Sequence, residues 1–283
     1  MGRGRSANRY ALCMSQPNDL ARDFLQLHRK GEPLLLANVW DAGSARLLET
    51  LGYEALATTS SGHAGTLGRQ DGAITRDQTL THCQEIATAT RLPVSADLEN
   101  CFAADPEGVA ETIRLAAETG LAGCSIEDYS GAETKRIYPL EEAVTRVRAA
   151  VGEAQSGSGL ILTARAENGI RGVDDLGDTI ERLQAYAEAG ADVVYAPGLA
   201  DLDAIRKVVE AVAVPLNVLC LPGGPSVPEL ASAGVARISV GGAFYYAALG
   251  ALATAAREWR EQGTHEFWKD AIVGAQVAKQ AFD

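Results

Sequence analysis

A short phrase recurs along this chain and restricts it to very few folds: a helix-like run, a turn rich in alanine or glutamate, a glycine, then a strand-like segment. It stands as Glu49-Thr-Leu-Gly52, Ala117-Glu-Thr-Gly120, Glu188-Ala-Gly190 and Ala231-Ser-Ala-Gly234. Glycine just past a helix accepts the left-handed backbone that ends it. A βαβ unit needs that stop before its next strand, so the phrase reads as repeated βα units. The pattern predicts strands at Pro33–Asn38, Ala55–Thr59, Pro93–Asp97, Ala122–Glu127, Gly159–Arg165, Asp192–Ala196, Pro215–Leu219 and Ala236–Val240. Helices are expected at Ala42–Leu51, Arg76–Thr90, Pro106–Thr119, Leu140–Val151, Leu176–Ala189, Leu202–Ala211, Ser226–Ala233 and Ala243–Glu261. Eight strands alternating with eight helices define an α/β chain of (β/α)8, TIM-type barrel form. A doubly wound open sheet is the competing architecture, but no GxGxxG turn follows the first strand.

The barrel is expected over residues 14–262. Residues 1–13 are basic and unpatterned, and read as a disordered extension or as sequence upstream of a start at Met14. Residues 263–283 add a further helical stripe with Phe267, Trp268, Ile272, Val273, Val277 and Phe282. This segment lies beyond the eighth βα unit, so its apolar face calls for another surface. A neighbouring subunit supplies one, which predicts a homo-oligomer with the C-terminal helix exchanged between subunits.

Three of the strands end in charge that a buried strand should not carry: Leu92-Pro-Val-Ser-Ala-Asp97-Leu-Glu99, Leu121-Ala-Gly-Cys-Ser-Ile-Glu127-Asp128 and Leu160-Ile-Leu-Thr-Ala-Arg165-Ala-Glu167. A buried unpaired charge is costly, so these ends need a metal, an opposite charge or water. In a barrel all C-terminal strand ends converge on one mouth, where active sites lie. Asp97, Glu99 and Glu127 are therefore a candidate metal set, the alternative being ion pairs with Arg165. Mg²⁺ suits them, with Asp97 in contact and Glu99 and Glu127 orienting its waters. Arg165 offers a planar fork for a substrate carboxylate. Trp40, Asp41, Ala42 and Gly43 follow the first strand, Ser60, Ser61 and Gly62 the second, and Asn217 lies in the seventh. All are candidate substrate contacts. His63 is the histidine nearest the mouth, and Cys101 sits just past Glu99 without an adjacent base.

Composition narrows the partners. With 25 Lys plus Arg against 37 Asp plus Glu, the formal charge of −12 argues against nucleic acid or an anionic membrane. It leaves a small anionic substrate open, since a local metal and arginine outweigh the global field. Five cysteines without CxxC spacing, and no signal peptide, suit a reducing cytoplasm.

Taken in order, Asn38-Val-Trp-Asp-Ala-Gly-Ser44, Thr58-Thr-Ser-Ser-Gly62, Gly68-Arg-Gln-Asp71, Ser95-Ala-Asp-Leu-Glu99, Ser125-Ile-Glu-Asp128 and Thr163-Ala-Arg165 resemble the isocitrate lyase/phosphoenolpyruvate mutase superfamily from about Leu36 to Gly242. The resemblance implies a modified barrel, Mg²⁺ (with Mn²⁺ as a substitute) and a small 2-oxo acid or dicarboxylate substrate. It also implies a C–C or C–P bond made or broken through an enolate-like intermediate. It adds Asp71 to the metal set, makes Arg165, Glu127 and Asp71 the expected catalytic group, and points to a dimer of dimers. Departures are visible too. The lyases of the superfamily carry a Lys-x-Cys-Gly-His loop after the residue matching Glu127, whereas residues 129–139 here hold neither cysteine nor histidine. That loop, with Gly131, Thr134 and Lys135, is expected to act as a lid. The expectation is therefore a Mg²⁺-dependent carbon–carbon lyase or decarboxylase, with C–P chemistry or a non-catalytic oxo-acid-binding homologue as alternatives.

Overall fold

The computed structural model describes residues 17–131 and 136–282. Its centre is a closed barrel of eight parallel strands in sequence order: β1 (Leu34–Val39), β2 (Leu56–Thr58), β3 (Val94–Asp97), β4 (Gly123–Glu127), β5 (Ile161–Arg165), β6 (Val193–Tyr195), β7 (Leu216–Leu219) and β8 (Arg237–Ser239), with β8 closing on β1. All eight predicted strands are present; β1 is shifted by one residue and the other seven are trimmed by one or two, because only the paired middle of each apolar run is needed for the ladder. The glycines of the recurring phrase do what the sequence requires of them. Gly52, Gly120, Gly190 and Gly234 all have φ between 84 and 104°.

The outer helices follow the prediction closely: α2 (Ala42–Thr50), α4 (Arg76–Ala89), α5 (Pro106–Ala117), α6 (Leu140–Glu153), α7 (Leu176–Glu188), α8 (Leu202–Ala211), α9 (Val227–Ser232) and α10 (Ala243–Gln262). Side-chain caps fix most of their starts, as at α5, where Asp105 accepts from Gly108 N at 2.7 Å and Pro106 opens the first turn. The main core lies between strands and helices, where Val94, Leu98, Ile113, Ile126, Leu162, Leu183, Ile205 and Val218 are buried.

Two short helices were not foreseen. α1 (Pro17–Gln26) places Ala21 and Phe24 across the N-terminal end of the barrel, against Leu34, Leu36, Ala55, Ala57, Ala122, Ile161 and Val193. Gly123 permits this approach, since a Cβ there would meet the Ile161 carbonyl oxygen at 2.7 Å and the Phe24 ring at 3.1 Å. Phe24 is fully buried. Phe24→Ala is expected to lower unfolding free energy by about 3–5 kcal/mol, read from urea denaturation, because the cavity it leaves is walled by strands that cannot collapse. The second, α3 (Ser60–Thr66), replaces the expected hydroxyl-rich turn and is capped by the Thr59 hydroxyl.

The C-terminal segment is helical, as expected, over α11 (Trp268–Ala281). It rests against α2 of its own chain, and the Phe282 ring reaches to within 3.7 Å of where a Cβ on Gly43 would stand. No residue of α11 is buried, and along α10 only Tyr245 is. Among the described residues no helix is long and apolar enough to cross a membrane.

Candidate active site

The inward positions of the strands build a cavity of about 250 Å³ at the C-terminal end of the barrel. Asp97 ends β3 and Arg165 ends β5, and alternation along each strand turns both side chains inward. They meet directly: Arg165 Nη1 donates to Asp97 Oδ1 at 3.0 Å. The same guanidinium pairs with Glu127 at 3.2 Å and with Glu167 at 2.7 Å. Burial works against its charge, but Glu167, Glu127 and Asp97 together outweigh that penalty and hold it firmly protonated. Glu167 is fully buried and also binds Arg171 at 3.3 Å. Arg171 stacks over the Tyr129 ring at 3.6 Å, tying the start of loop 129–139 to this charge cluster.

Carboxylates still crowd the mouth. Burial, then repulsion from Asp97 and Asp71, pushes Glu99 up to about 8. Burial and then Glu167 raise Glu127 well above the ordinary range, with Arg165 opposing. Asp71, at the open rim, is raised by lost solvation and by Asp97, while a hydrogen bond with Ser60 pulls the other way. Such mutual repulsion is what a cation relieves. Among the described residues no three acidic, histidine or cysteine groups close into a cage around a metal. The donor set therefore fits an ion that keeps its waters and takes one or two carboxylates, which is the habit of Mg²⁺.

Asp97 is well placed for this. Its Oδ2 accepts from Ser60 N at 3.3 Å, and its Oδ1 from Arg165 and, at 3.4 Å, from Glu99 N. The turn that follows is strained: Glu99, Cys101 and Phe102 have φ of 50, 60 and 53°. Such conformations persist only where surroundings enforce them. Here buried Arg146 donates to the carbonyls of Asn100, Ala103 and Ala104 at 2.7–3.1 Å and clamps the turn.

Of the sequence-predicted residues, Asp71, Asp97, Arg165, Ser60, Ser61 and Asn217 line the cavity together. Glu99 and Glu127 stand behind its wall, beside Asp97 and Arg165. Trp40, Asp41, Ala42, Gly43 and Gly62 do not line it. The Asp41 carboxylate caps α2, accepting from Ser44 N at 2.6 Å, and the Trp40 ring packs edge-on to Tyr245. Gly62 is needed for packing, since a Cβ there would meet Thr59 at 2.6 Å. Asp128 points to α7, bonded to Tyr186 at 2.6 Å and to Arg182 at 3.1 Å. Thr134 and Lys135 lie outside the described residues. The feet of their loop are joined by Ser130 N to Arg136 O at 2.8 Å and Tyr138 N to Asp128 O at 2.8 Å.

Asn38 and Ser239, which their strand ends also bring to the mouth, line it too, whereas Tyr195 and, deeper, Ser95, Ser125 and Arg237 escaped the sequence reading as a site. Alternation along the strands is the signal that groups them, and Arg237 was visible as a charge inside an apolar run.

His63 leaves the mouth. It is buried and stacked on His82, with ring centroids 3.8 Å apart and an interplanar angle of 2°. Burial, then His82, lowers His63 to about 4, and burial lowers His82 although the Trp40 carbonyl opposes it. Both rings fold neutral, so protons bind the unfolded chain first. Their stabilising contribution is complete above the unfolded value near 6.5 and declines as pH falls toward 4. Melting temperature is expected to drop across that window, with a shallower drop in His63→Phe. Cys101 is fully buried and its thiol is pushed up to about 12 by burial, which makes it unreactive.

Comparison with known proteins agrees with this geometry. The sequence model of the phosphoenolpyruvate phosphomutase family matches residues 24–260. The chain is 34% identical over 240 residues to an uncharacterized protein of Mycobacterium tuberculosis H37Rv, covering 83% of this chain and 87% of the relative. It is 31% identical over 259 residues to the oxaloacetate decarboxylase of Chromohalobacter salexigens, covering 88% of each. Among solved structures, a Burkholderia cenocepacia J2315 protein of provisional lyase/mutase assignment shares 49% identity at a TM-score of 0.88, covering 93% of this chain and 95% of that one. A ring of carboxylates around one arginine at the barrel mouth, in a chain matched over this length, thus belongs to the phosphoenolpyruvate phosphomutase family of the isocitrate lyase/phosphoenolpyruvate mutase superfamily of enzymes.

Proposed function

We propose that this protein is a Mg²⁺-dependent carbon–carbon lyase or decarboxylase acting on a small 2-oxo acid or related dicarboxylate through an enolate. The observation that carries the reading is the Asp97–Arg165 pair at the cavity, with Asp71 at the rim and Glu99 and Glu127 behind it. Similarity to oxaloacetate decarboxylases over more than four-fifths of the chain favours decarboxylation within that class. Asp97 and Asp71 would hold the metal, with Glu99 and Glu127 orienting its waters. The ion would supply positive charge that steadies the 2-oxo oxygen as the bond beside it breaks.

The chain's own residues do the rest. Arg165 gives one Nη1 hydrogen to Asp97 and keeps a second on that nitrogen for a substrate carboxylate, preorganised by its three acidic neighbours. In decarboxylation the electron pair of the breaking C–C bond moves onto the oxo oxygen, CO₂ leaves, and a proton later returns to carbon. Loop 129–139 lacks the cysteine and histidine of the related lyases, so that proton comes from water or another wall group. The loop is proposed to close over the mouth, and the cytoplasm as the location belongs to the same reading.

The test is a panel of 2-oxo and 2-hydroxy acids, oxaloacetate included, assayed for pyruvate or CO₂ with Mg²⁺ at several enzyme concentrations. Enzyme-proportional release supports the reading. Phosphate release from phosphonopyruvate alone would assign C–P chemistry, and oxalate binding without any turnover would assign a binding homologue.

A further inference from the structure

The interior of a barrel of this kind is ordinarily filled by bulky branched side chains. Below Arg165 this one carries Ser95 and Ser125, with Thr163 in register beside Ser125, and the cavity runs down past them to Arg237. Arg237 opens β8 and is only 3% exposed. Its Nη2 donates to Thr163 Oγ1 at 3.0 Å, its Nη1 lies 3.3 Å from His28 Nε2, and its Nε has no partner.

None of those groups is an anion. His28 Nδ1 lies 3.0 Å from the Phe24 carbonyl oxygen, so Nδ1 carries the proton and Nε2 accepts from Arg237. Burial, with Arg237 adding repulsion, lowers His28 to about 3. Two guanidinium groups therefore face one cavity in opposite circumstances. Arg165 has three carboxylates within 3.2 Å, whereas among the described residues Arg237 has none within ion-pair distance. Burial pushes Arg237 down to about 10, and Arg165 adds to that effect, yet it stays charged at neutral pH. A buried guanidinium without a counterion, on the wall of a cavity lined with hydroxyls, is a ready anion site.

We propose that the floor of this cavity is a subsite for one small carboxylate-like anion, held by Arg237 with the hydroxyls of Ser95 and Ser125. The inference rests on the proposed function only in taking the Asp97–Arg165 end as the 2-oxo-acid end. The anion is the far carboxylate of a dicarboxylate substrate reaching down the cavity, or an independent halide-sized ion, and the experiment separates the two.

Calorimetric titration in Mg²⁺ compares oxalate with 3,3-difluorooxaloacetate on the intact protein and on Arg237→Met. Oxalate affinity is expected to stay within about twofold, while the longer diacid weakens at least tenfold, which assigns the subsite to the substrate. Bromide-soaked crystals of the unaltered protein supply the second arm through anomalous scattering. A bromide peak beside Arg237 that persists with the diacid bound, together with unchanged diacid affinity in Arg237→Met, assigns the subsite to a free ion. No peak and unchanged diacid affinity overturn the proposal. Should Arg237→Met fail to fold, the bromide measurement and Thr163→Val, which removes a hydroxyl that orients the guanidinium, decide in its place. Failure of oxalate to bind the unaltered protein would sink the functional reading instead, leaving the bromide result to stand on its own.

Discussion

Asp97→Ala is expected to lower turnover on the order of a thousandfold while leaving the fold intact, the scale lost when one preorganised charge at a reacting oxygen is removed. Among the described residues, Asp97 is the only carboxylate that both lines the cavity and touches Arg165. Its removal would leave the proposed metal underliganded and would free Arg165 to swing toward Glu127 and Glu167. The fold survives because two carboxylates still balance the buried guanidinium. Asp97→Asn, which keeps the bond from Ser60 N, should fold as well and turn over as poorly. Excess EDTA should reproduce the loss in the unaltered protein, and added Mg²⁺ or Mn²⁺ should reverse it. Circular dichroism melts beside the assay separate chemistry from unfolding. Undiminished turnover in EDTA, or in Asp97→Ala, would end the metal reading.

The second large effect is on assembly. The intact chain is expected to be an oligomer built as a dimer of dimers, and a chain ending at Gln262 is expected to lose that state. On α10 and α11 the exposed fractions are 66% for Leu252, 70% for Trp259, 58% for Trp268 and 59% for Val273. Large apolar side chains left this exposed are what an interface covers, and each tryptophan alone removes about 150–250 Å² from water when covered. Within this chain Phe282 forms one wall of a hollow that Trp40, Leu47, Leu48 and Phe244 also line. Exchange of α11 would set the neighbour's Phe282 against the same hollow. Light scattering on both chains decides it, and a monomeric mass for the intact protein refutes the exchange.

The barrel was legible because its signal is local and repeated. Each glycine stop and each apolar run reports on one unit, and eight such units agree. The charged strand ends were legible for the opposite reason, as departures from what burial permits. α1 was not, since Ala21 and Phe24, its buried residues among the described side chains, make too short a stripe and owe their burial to a barrel assembled from distant sequence. α3 was missed because Ser-Ser-Gly-His-Ala-Gly-Thr carries no apolar period, and its helix depends on the Thr59 cap and on Tyr245 packed against Gly65. At the site, order along the chain told which residues reach the mouth but not which way each side chain turns. Asp41 reaches the mouth and then spends its carboxylate on capping. Arg237 starts its strand at the far end, and only its length brings it up to the cavity.

Among the described residues, α1 stops the barrel's N-terminal end and leaves the mouth beside Asp71 as the way in. Whatever enters there must leave the same way, so the two products of the proposed lyase or decarboxylase reaction would depart in sequence rather than through separate exits. The fragment seated deeper waits for the shallower one to clear. It is therefore the deeper product that should compete with fresh substrate for the empty enzyme, while the first to leave should not.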